Sequence, residues 1–245
     1  MANRQDIPRA LYCSGIFYLR LSSFMQSEFW HERWENQQIG FHLEEVNSIL
    51  LKYWPAMEIT PGQRVLVPLC GKTLDIIWLL KQGYVVVGIE LSELALDELA
   101  DTIRSELQFD IQKTREQHCV VYRGDNLLLI AGDFFAVTAE EIGSIDAVYD
   151  RAALVALPAS MRSDYCQHLQ AISPAAKQLL VSFSYDQNAM SGPPFAVWPP
   201  EVAQHYDAGY DVALQEQREI IQQEPRFKER GLQSFVQDVY LLTPR

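Results

Sequence analysis

Residues 64–90, RVLVPLCGKTLDIIWLLKQGYVVVGIE, constrain the fold more tightly than any other part of the chain. An apolar run, a Gly-containing turn, an amphipathic helical stretch and a second apolar run ending in a carboxylate make one βαβ unit of an open α/β sheet. In such a sheet the turn after the first strand approaches a nucleotide-like ligand. An acid at the end of the second strand can accept hydrogen bonds from both ribose hydroxyls. Glu90 stands nineteen residues beyond Gly71, about the separation that role requires. The unit has no G-x-G-x-x-G, so it offers little provision for seating a pyrophosphate on backbone N–H groups. The GKT triplet at 71–73 does not change this, because a phosphate-binding loop needs glycine at position 66, which is Leu66. Lys72 then reads as a helix-start residue. An adenosine ligand without phosphates fits better than a dinucleotide.

At 245 residues and 48% hydrophobic content, the chain suits one sizeable α/β domain. Its formal charge of −12 argues against sequence-independent binding to phosphate backbones, which needs clustered Lys and Arg. No nucleic-acid partner is expected. Cys13, Cys70, Cys119 and Cys166 are scattered without a C-x-x-C pair, so neither a disulfide framework nor a zinc site is expected. That usage suits a reducing cytoplasm. Cys70, in the ligand turn, reads first as a small apolar filler and second as a cofactor contact. Residues 1–24 faintly resemble a signal peptide, but Asp6 interrupts the basic region and no small-x-small cleavage site follows. We read them as a poorly ordered extension or the product of an upstream start codon. No segment has the length and apolarity to span a bilayer as a helix.

The rest of the chain alternates strands and helices. Ser27 to Lys52 is helical in pattern, with Phe29, Trp30 and Trp34 on one stripe and Phe41, Val46, Ile49 and Leu50 on a second, separated at Asn36–Gly40. Ser92 can cap a helix running to about Arg104. Residues 105–124 are polar and aperiodic, which predicts an insertion or long loop. Further strands are expected over 127–135, 145–154 and 177–186, with a helix opening at Pro158. SGPPF at 191–195 is a rigid loop. The alternating segments 210–220 and 232–242 suit antiparallel edge strands. The expectation is an α/β fold with a single doubly wound, mostly parallel sheet and a C-terminal antiparallel hairpin.

Ligands of such sheets bind outside the carboxyl ends of the strands. Four ends converge there: Leu69 to Gly71, Glu90, Gly132 to Phe134, and Asp150 to Arg151. Glu90 suits a ribose diol. Asp133 can accept from an adenine amino group while Phe134 packs on the ring, or the pair is a loop acid beside a core phenylalanine. The five histidines show no metal-ligand spacing, and no G-x-S-x-G elbow exists. Trp30 and Trp34 are either anchors of an N-terminal helix or a lid whose indoles face a cationic sulfonium.

Together FWHERW, IGFH, VLVPLCGK, GYVVVGIELSELA, GDFF, YDRAALVALP, SYDQ and GPPF, in that order, resemble the thiopurine S-methyltransferases, particularly their bacterial members. The likeness runs from about Met25 to the C-terminus, with residues 1–24 as an addition and 105–124 longer than the family pattern. The resemblance implies a class I methyltransferase, Rossmann-like, over 25–245 that uses S-adenosyl-L-methionine. It places Trp30, Trp34, Leu69, Gly71, Glu90, Asp133, Phe134 and Arg151 about the cofactor. It places Phe41, Arg151, Pro193, Pro194 and Arg226 on the acceptor side, with Arg151 as the residue that acts on the acceptor. The acceptor would be a small-molecule thiol or a selenium or tellurium species, and the enzyme a cytoplasmic monomer. Two alternatives are a non-catalytic adenosine-ligand sensor on this fold and an NAD-dependent oxidoreductase. The acceptor-side residues weigh against the first, and the missing G-x-G-x-x-G against the second.

Overall fold

Among the described residues the continuous apolar runs become the central strands of a nine-stranded sheet. In chain order the strands are β1 (Arg64–Pro68), β2 (Val85–Glu90), β3 (Gln112–Arg115), β4 (Val120–Gly124), β5 (Leu127–Ala131), β6 (Ala147–Arg151), β7 (Lys177–Ser184), β8 (Tyr210–Glu219) and β9 (Val236–Pro244). They lie in the order β3-β4-β5-β2-β1-β6-β7-β9-β8. The five central strands, β5-β2-β1-β6-β7, are all parallel. Two strands at each side pair antiparallel. The chain moves outward from β1 to β2 and later returns to pair β6 against the other side of β1, so the sheet order reverses between β1 and β6.

This computed structural model describes residues 28–40 and 42–245. It divides into two compact units, Met1–Ile39 and Gly40–Arg245. The expectation for the extension at 1–24, and that for Phe41, lie outside the described residues. In the first unit, helix α1 covers 28–35. Its Phe29 and Trp30 rings meet edge to face at 5.3 Å, and the Arg33 guanidinium lies 4.5 Å from the Phe29 ring centre.

In the second unit both faces of the parallel strands are covered, which is why those strands read as unbroken apolar runs. Alternate residues point to opposite faces. Val65 and Val67 of β1, Tyr149 of β6 and Val181 of β7 join Ile49 of α2 (Ser48–Tyr53), Leu79 of α3 (Asp75–Lys81) and Ile103 of α4 (Glu93–Leu107). Leu66, Val148 and Leu180 face the other way. After the short α5 (Ala139–Ile142) come the helices of that layer, α6 (Ala159–Ile172), which supplies Tyr165 and Leu169, and α7 (Pro199–Tyr206), which supplies Val202. A third apolar cluster gathers Tyr185, Ile220, Phe235 and Phe227, the last from α8 (Pro225–Glu229). Among the described residues no helix is long and apolar enough to cross a membrane.

Three local expectations are corrected. Residues 105–124 are not a loop: α4 runs on to Leu107, and β3 and β4 then extend the sheet antiparallel beside β5. The polar look of 112–115 reflects an edge strand exposed at every position, the usual defence of a sheet edge against pairing with other chains. The second N-terminal helix begins only at Ser48. Asn47 ends the preceding irregular stretch by accepting from the Ile49 N–H at 2.9 Å, while its own N–H donates to Asp75 at 2.7 Å. Lys72 is not at a helix start. It lies in the turn before α3 and pairs with Glu98 of α4 at 2.6 Å. The C-terminal hairpin is as expected in pairing, with β9 inserted between β7 and an exposed edge strand β8.

Candidate active site

Ligands of doubly wound sheets lie outside the carboxyl ends of the strands, where the strand order reverses. Here that place is the crevice between β1 and β6. The chain leaves β1 through a tight turn in which Leu69 (φ 45°) and Gly71 (φ 55°) both occupy the left-handed region. A left-handed leucine costs on the order of 1 kcal/mol or more, and such residues cluster at ligand sites. The turn packs onto Gly88 of β2. A Cβ there would come within 2.7 Å of Leu129 Cδ2, 3.0 Å of Cys70 Sγ and 3.2 Å of Ile76 Cδ1. Cys70 is therefore a filler. Burial, reinforced by the Glu90 charge, holds its thiol well above the ordinary range and keeps it unreactive.

Glu90 ties three strand ends together. Its Oε2 accepts from the Gly71 N–H at 2.8 Å and its Oε1 from the Ser92 N–H at 2.9 Å. Its backbone carbonyl accepts from the Gly132 N–H at 2.9 Å. The carboxylate is buried, and both oxygens are oriented by backbone donors, so its direction is set before any ligand arrives. A carboxylate has about four acceptor positions, so backbone anchoring and diol recognition can coexist on it. The site thereby brings Leu69, Gly71, Glu90 and Asp133 to one rim. Asp133 is exposed, and its Oδ1 accepts from the Phe135 N–H at 3.0 Å. Phe134 lies in the core, its ring 5.1 Å from both Tyr165 and His168.

Across the reversal, β6 ends in Asp150 and Arg151, followed by Ala152 in the left-handed region (φ 65°). Asp150 is fully buried. It accepts from the Leu154 N–H at 3.1 Å and the Tyr165 hydroxyl at 2.8 Å, and so fixes the turn that carries Arg151. His42 stands near this edge too, a place that neither metal-ligand spacing nor a Ser-His-Asp pattern reveals. Burial first, and then the Lys72 and Arg151 cations, hold its imidazole below the ordinary value, which favours the neutral ring. The signal was its place in the IGFH motif.

Burial pushes the Asp150 carboxyl up to about 6 from 3.8, outweighing its hydrogen bonds. The folded chain therefore takes up this proton more readily than the unfolded one. The stability the group contributes when protonated is lost as pH rises from about 4 to about 6, by roughly 3 kcal/mol. Asp150→Asn cannot ionise. Melting of the two proteins from pH 4 to pH 7 is expected to show the variant gaining on the parent through that window and a level gap above it. A gap independent of pH contradicts this account of Asp150.

Pro193 and Pro194 are half-buried in the loop between β7 and α7, and the loop is fixed to the Arg151 side of the site. The Phe195 N–H donates to the carbonyl of Val155, four residues beyond Arg151, at 2.7 Å. Arg226 is held away from a purely solvent role. It donates from Nε to Glu224 at 3.0 Å and from Nη1 to the carbonyl of Gly40, at the start of the segment leading to His42. Trp30 and Trp34 fall at i and i+4 on one face of α1, in the N-terminal unit.

These residues fit S-adenosylmethionine. A buried, pre-aimed carboxylate suits the ribose diol, and Lys72 is spent on Glu98 rather than offered to a phosphate. The model of the family described as Thiopurine S-methyltransferase (TPMT) matches residues 25–245. The Thiopurine S-methyltransferase of Pseudomonas fluorescens (strain Pf0-1) is 43% identical over 216 residues, spanning 88% of this chain and 98% of that protein. Among solved structures, the chain is similar to a magnesium protoporphyrin IX methyltransferase from Synechocystis PCC 6803 with bound SAH. The TM-score is 0.61 at 13% identity, with 89% of this chain and 99% of that one covered. It is similar also to the 1,6-didemethyltoxoflavin-N1-methyltransferase of Burkholderia thailandensis, with a TM-score of 0.55 at 16% identity over 98% and 93% of the two chains. At these identities the structural likeness is one of fold alone, that of the class I methyltransferases. With the family match spanning the whole of the parallel sheet and its site edge, this chain belongs to the thiopurine S-methyltransferase family of S-adenosylmethionine-dependent enzymes.

Proposed function

We propose that this protein methylates the sulfur of aromatic or heterocyclic thiols such as thiopurines, and acts as a cytoplasmic monomer. Selenium and tellurium species are further acceptors of the same soft, polarisable kind. One observation carries the reading. The aimed Glu90 carboxylate and Arg151 flank the same β1/β6 reversal, and a proline loop is bonded to the turn behind Arg151.

When bound, the cofactor supplies an electrophilic methyl on a sulfonium, whose C–S electrons remain with the departing thioether as the acceptor sulfur bonds carbon. The protein's task is positioning, a contribution that can reach roughly 7–11 kcal/mol. Leu69, Gly71, Glu90 and Asp133 hold the donor. Pro193, Pro194 and Arg226 form the acceptor side. Arg151 holds the acceptor as its anion. Aromatic thiols are acidic, so the proton leaves to solvent and no strong base is required.

Calorimetry with S-adenosylmethionine and NAD, followed by a screen of thiol, selenol and hydroxyl acceptors with labelled methyl donor, tests the reading. Binding of the first ligand alone, with label moving to thiols and not to hydroxyl analogues, is expected. NAD binding, or donor binding without transfer to any thiol, would overturn it.

A further inference from the structure

We propose that Tyr185 and Gln187 form a hydrogen-bonded latch that sets the Pro193–Pro194 wall relative to Arg151 and so decides which thiols fit. The inference rests on the proposed reading of those prolines as the acceptor wall. The Tyr185 hydroxyl donates to the Pro194 carbonyl at 2.5 Å and accepts from Gln187 Nε2 at 2.9 Å. The same amide nitrogen donates to the Met190 carbonyl at 2.6 Å, and Gln187 Oε1 accepts from the Ala196 N–H at 2.8 Å. One phenol hydrogen, two amide hydrogens and one amide oxygen are each used once, so the network has a single consistent direction.

The far side of the loop is held as firmly. Arg162, buried on α6, donates to the Ala196 carbonyl at 3.0 Å while paired with Glu201 at 2.6 Å. The Phe195 N–H reaches Val155 at 2.7 Å, and the Val197 N–H reaches Phe183 at 2.8 Å. Surface connections ordinarily leave such groups to water. Here the run Pro194 to Val197 has backbone groups tied to β7, to α6, to the Tyr185–Gln187 segment and to the turn behind Arg151. The Tyr185 ring is anchored at 5.5 Å from Phe235 in the third apolar cluster, which stiffens the latch from beneath. Tyr185 and Gln187 are thus positioning residues, acting through Pro194 and Ala196.

Tyr185→Phe removes one hydroxyl and keeps the ring, and Gln187→Ala removes the remaining bonds. Each variant, and the double variant, is assayed with a fused-ring heteroaromatic thiol and with benzenethiol, alongside the dissociation constant for S-adenosylmethionine and a melting curve. KM for the fused-ring thiol is expected to rise about 5- to 10-fold in each single variant, changing the preference between the two thiols, with donor affinity kept. The double variant is expected to be no worse than the larger single one, because both act on one wall. Unchanged preference in folded variants, or donor affinity falling in step with KM, overturns the latch. A parent protein that methylates neither thiol overturns instead the functional reading beneath it.

Discussion

Glu90→Ala is expected to weaken S-adenosylmethionine binding by about 2–4 kcal/mol, roughly 30- to 1000-fold. The variant loses charge-assisted bonds to the ligand and the two that aim the Gly71 and Ser92 N–H groups. Leaving two buried donors without their acceptor also lowers stability, by about 1–3 kcal/mol each. Glu90→Gln separates the carboxylate from its mere size. A single amide oxygen can serve one of the two backbone donors, and the other then meets an NH₂ group. The glutamine variant should therefore bind more like alanine than like the parent. Titration calorimetry with a melting curve for each protein measures both effects. Parental affinity in the glutamine variant would remove Glu90 from the donor site.

Arg151→Ala should lower kcat/KM for an anionic thiol by roughly 10- to 150-fold, the range for losing a hydrogen bond to a charged group. Arg151→Lys should fall between, since it keeps the charge and loses the planar fork. The pH dependence separates positioning from base catalysis. Arginine stays protonated throughout, so activity should rise with pH along each acceptor's own ionisation. Two thiols of different acidity should then give two different midpoints. A common midpoint would mean that an enzyme group takes the proton. His42, held toward its neutral form beside Arg151, and Asp150, titrating near 6, are then the groups to replace.

The core of the fold was legible because parallel strands buried on both faces must be continuously apolar, and 64–90 shows two of them flanking a helical period. The carboxylate at Glu90 was legible for the same reason, as an acid placed where an apolar run stops. The β3–β4 hairpin was not. Its edge strand QKTR carries no apolar alternation, and the informative signal was the Asp125-Asn126 turn between β4 and β5. His42 and the Tyr185–Gln187 pair escaped for a different reason. Their surroundings depend on distant parts of the chain, the turn before α3 and the end of β6 for the one and the proline loop for the other. No periodicity encodes that. Phe134 shows the converse, since the core alternative weighed for it describes its packing against Tyr165 and His168.

The central claim is that methyl goes to sulfur at an edge built by Glu90 and Arg151. A thiopurine offers ring nitrogens beside its sulfur, so it reports the choice directly. The measurement is the carbon NMR spectrum of the product formed with S-adenosylmethionine carrying a ¹³C methyl group. The account predicts a single labelled resonance in the S-methyl region, reduced in parallel with turnover in Arg151→Ala. Label appearing on a ring nitrogen, or donor consumed with no labelled thioether, would contradict it.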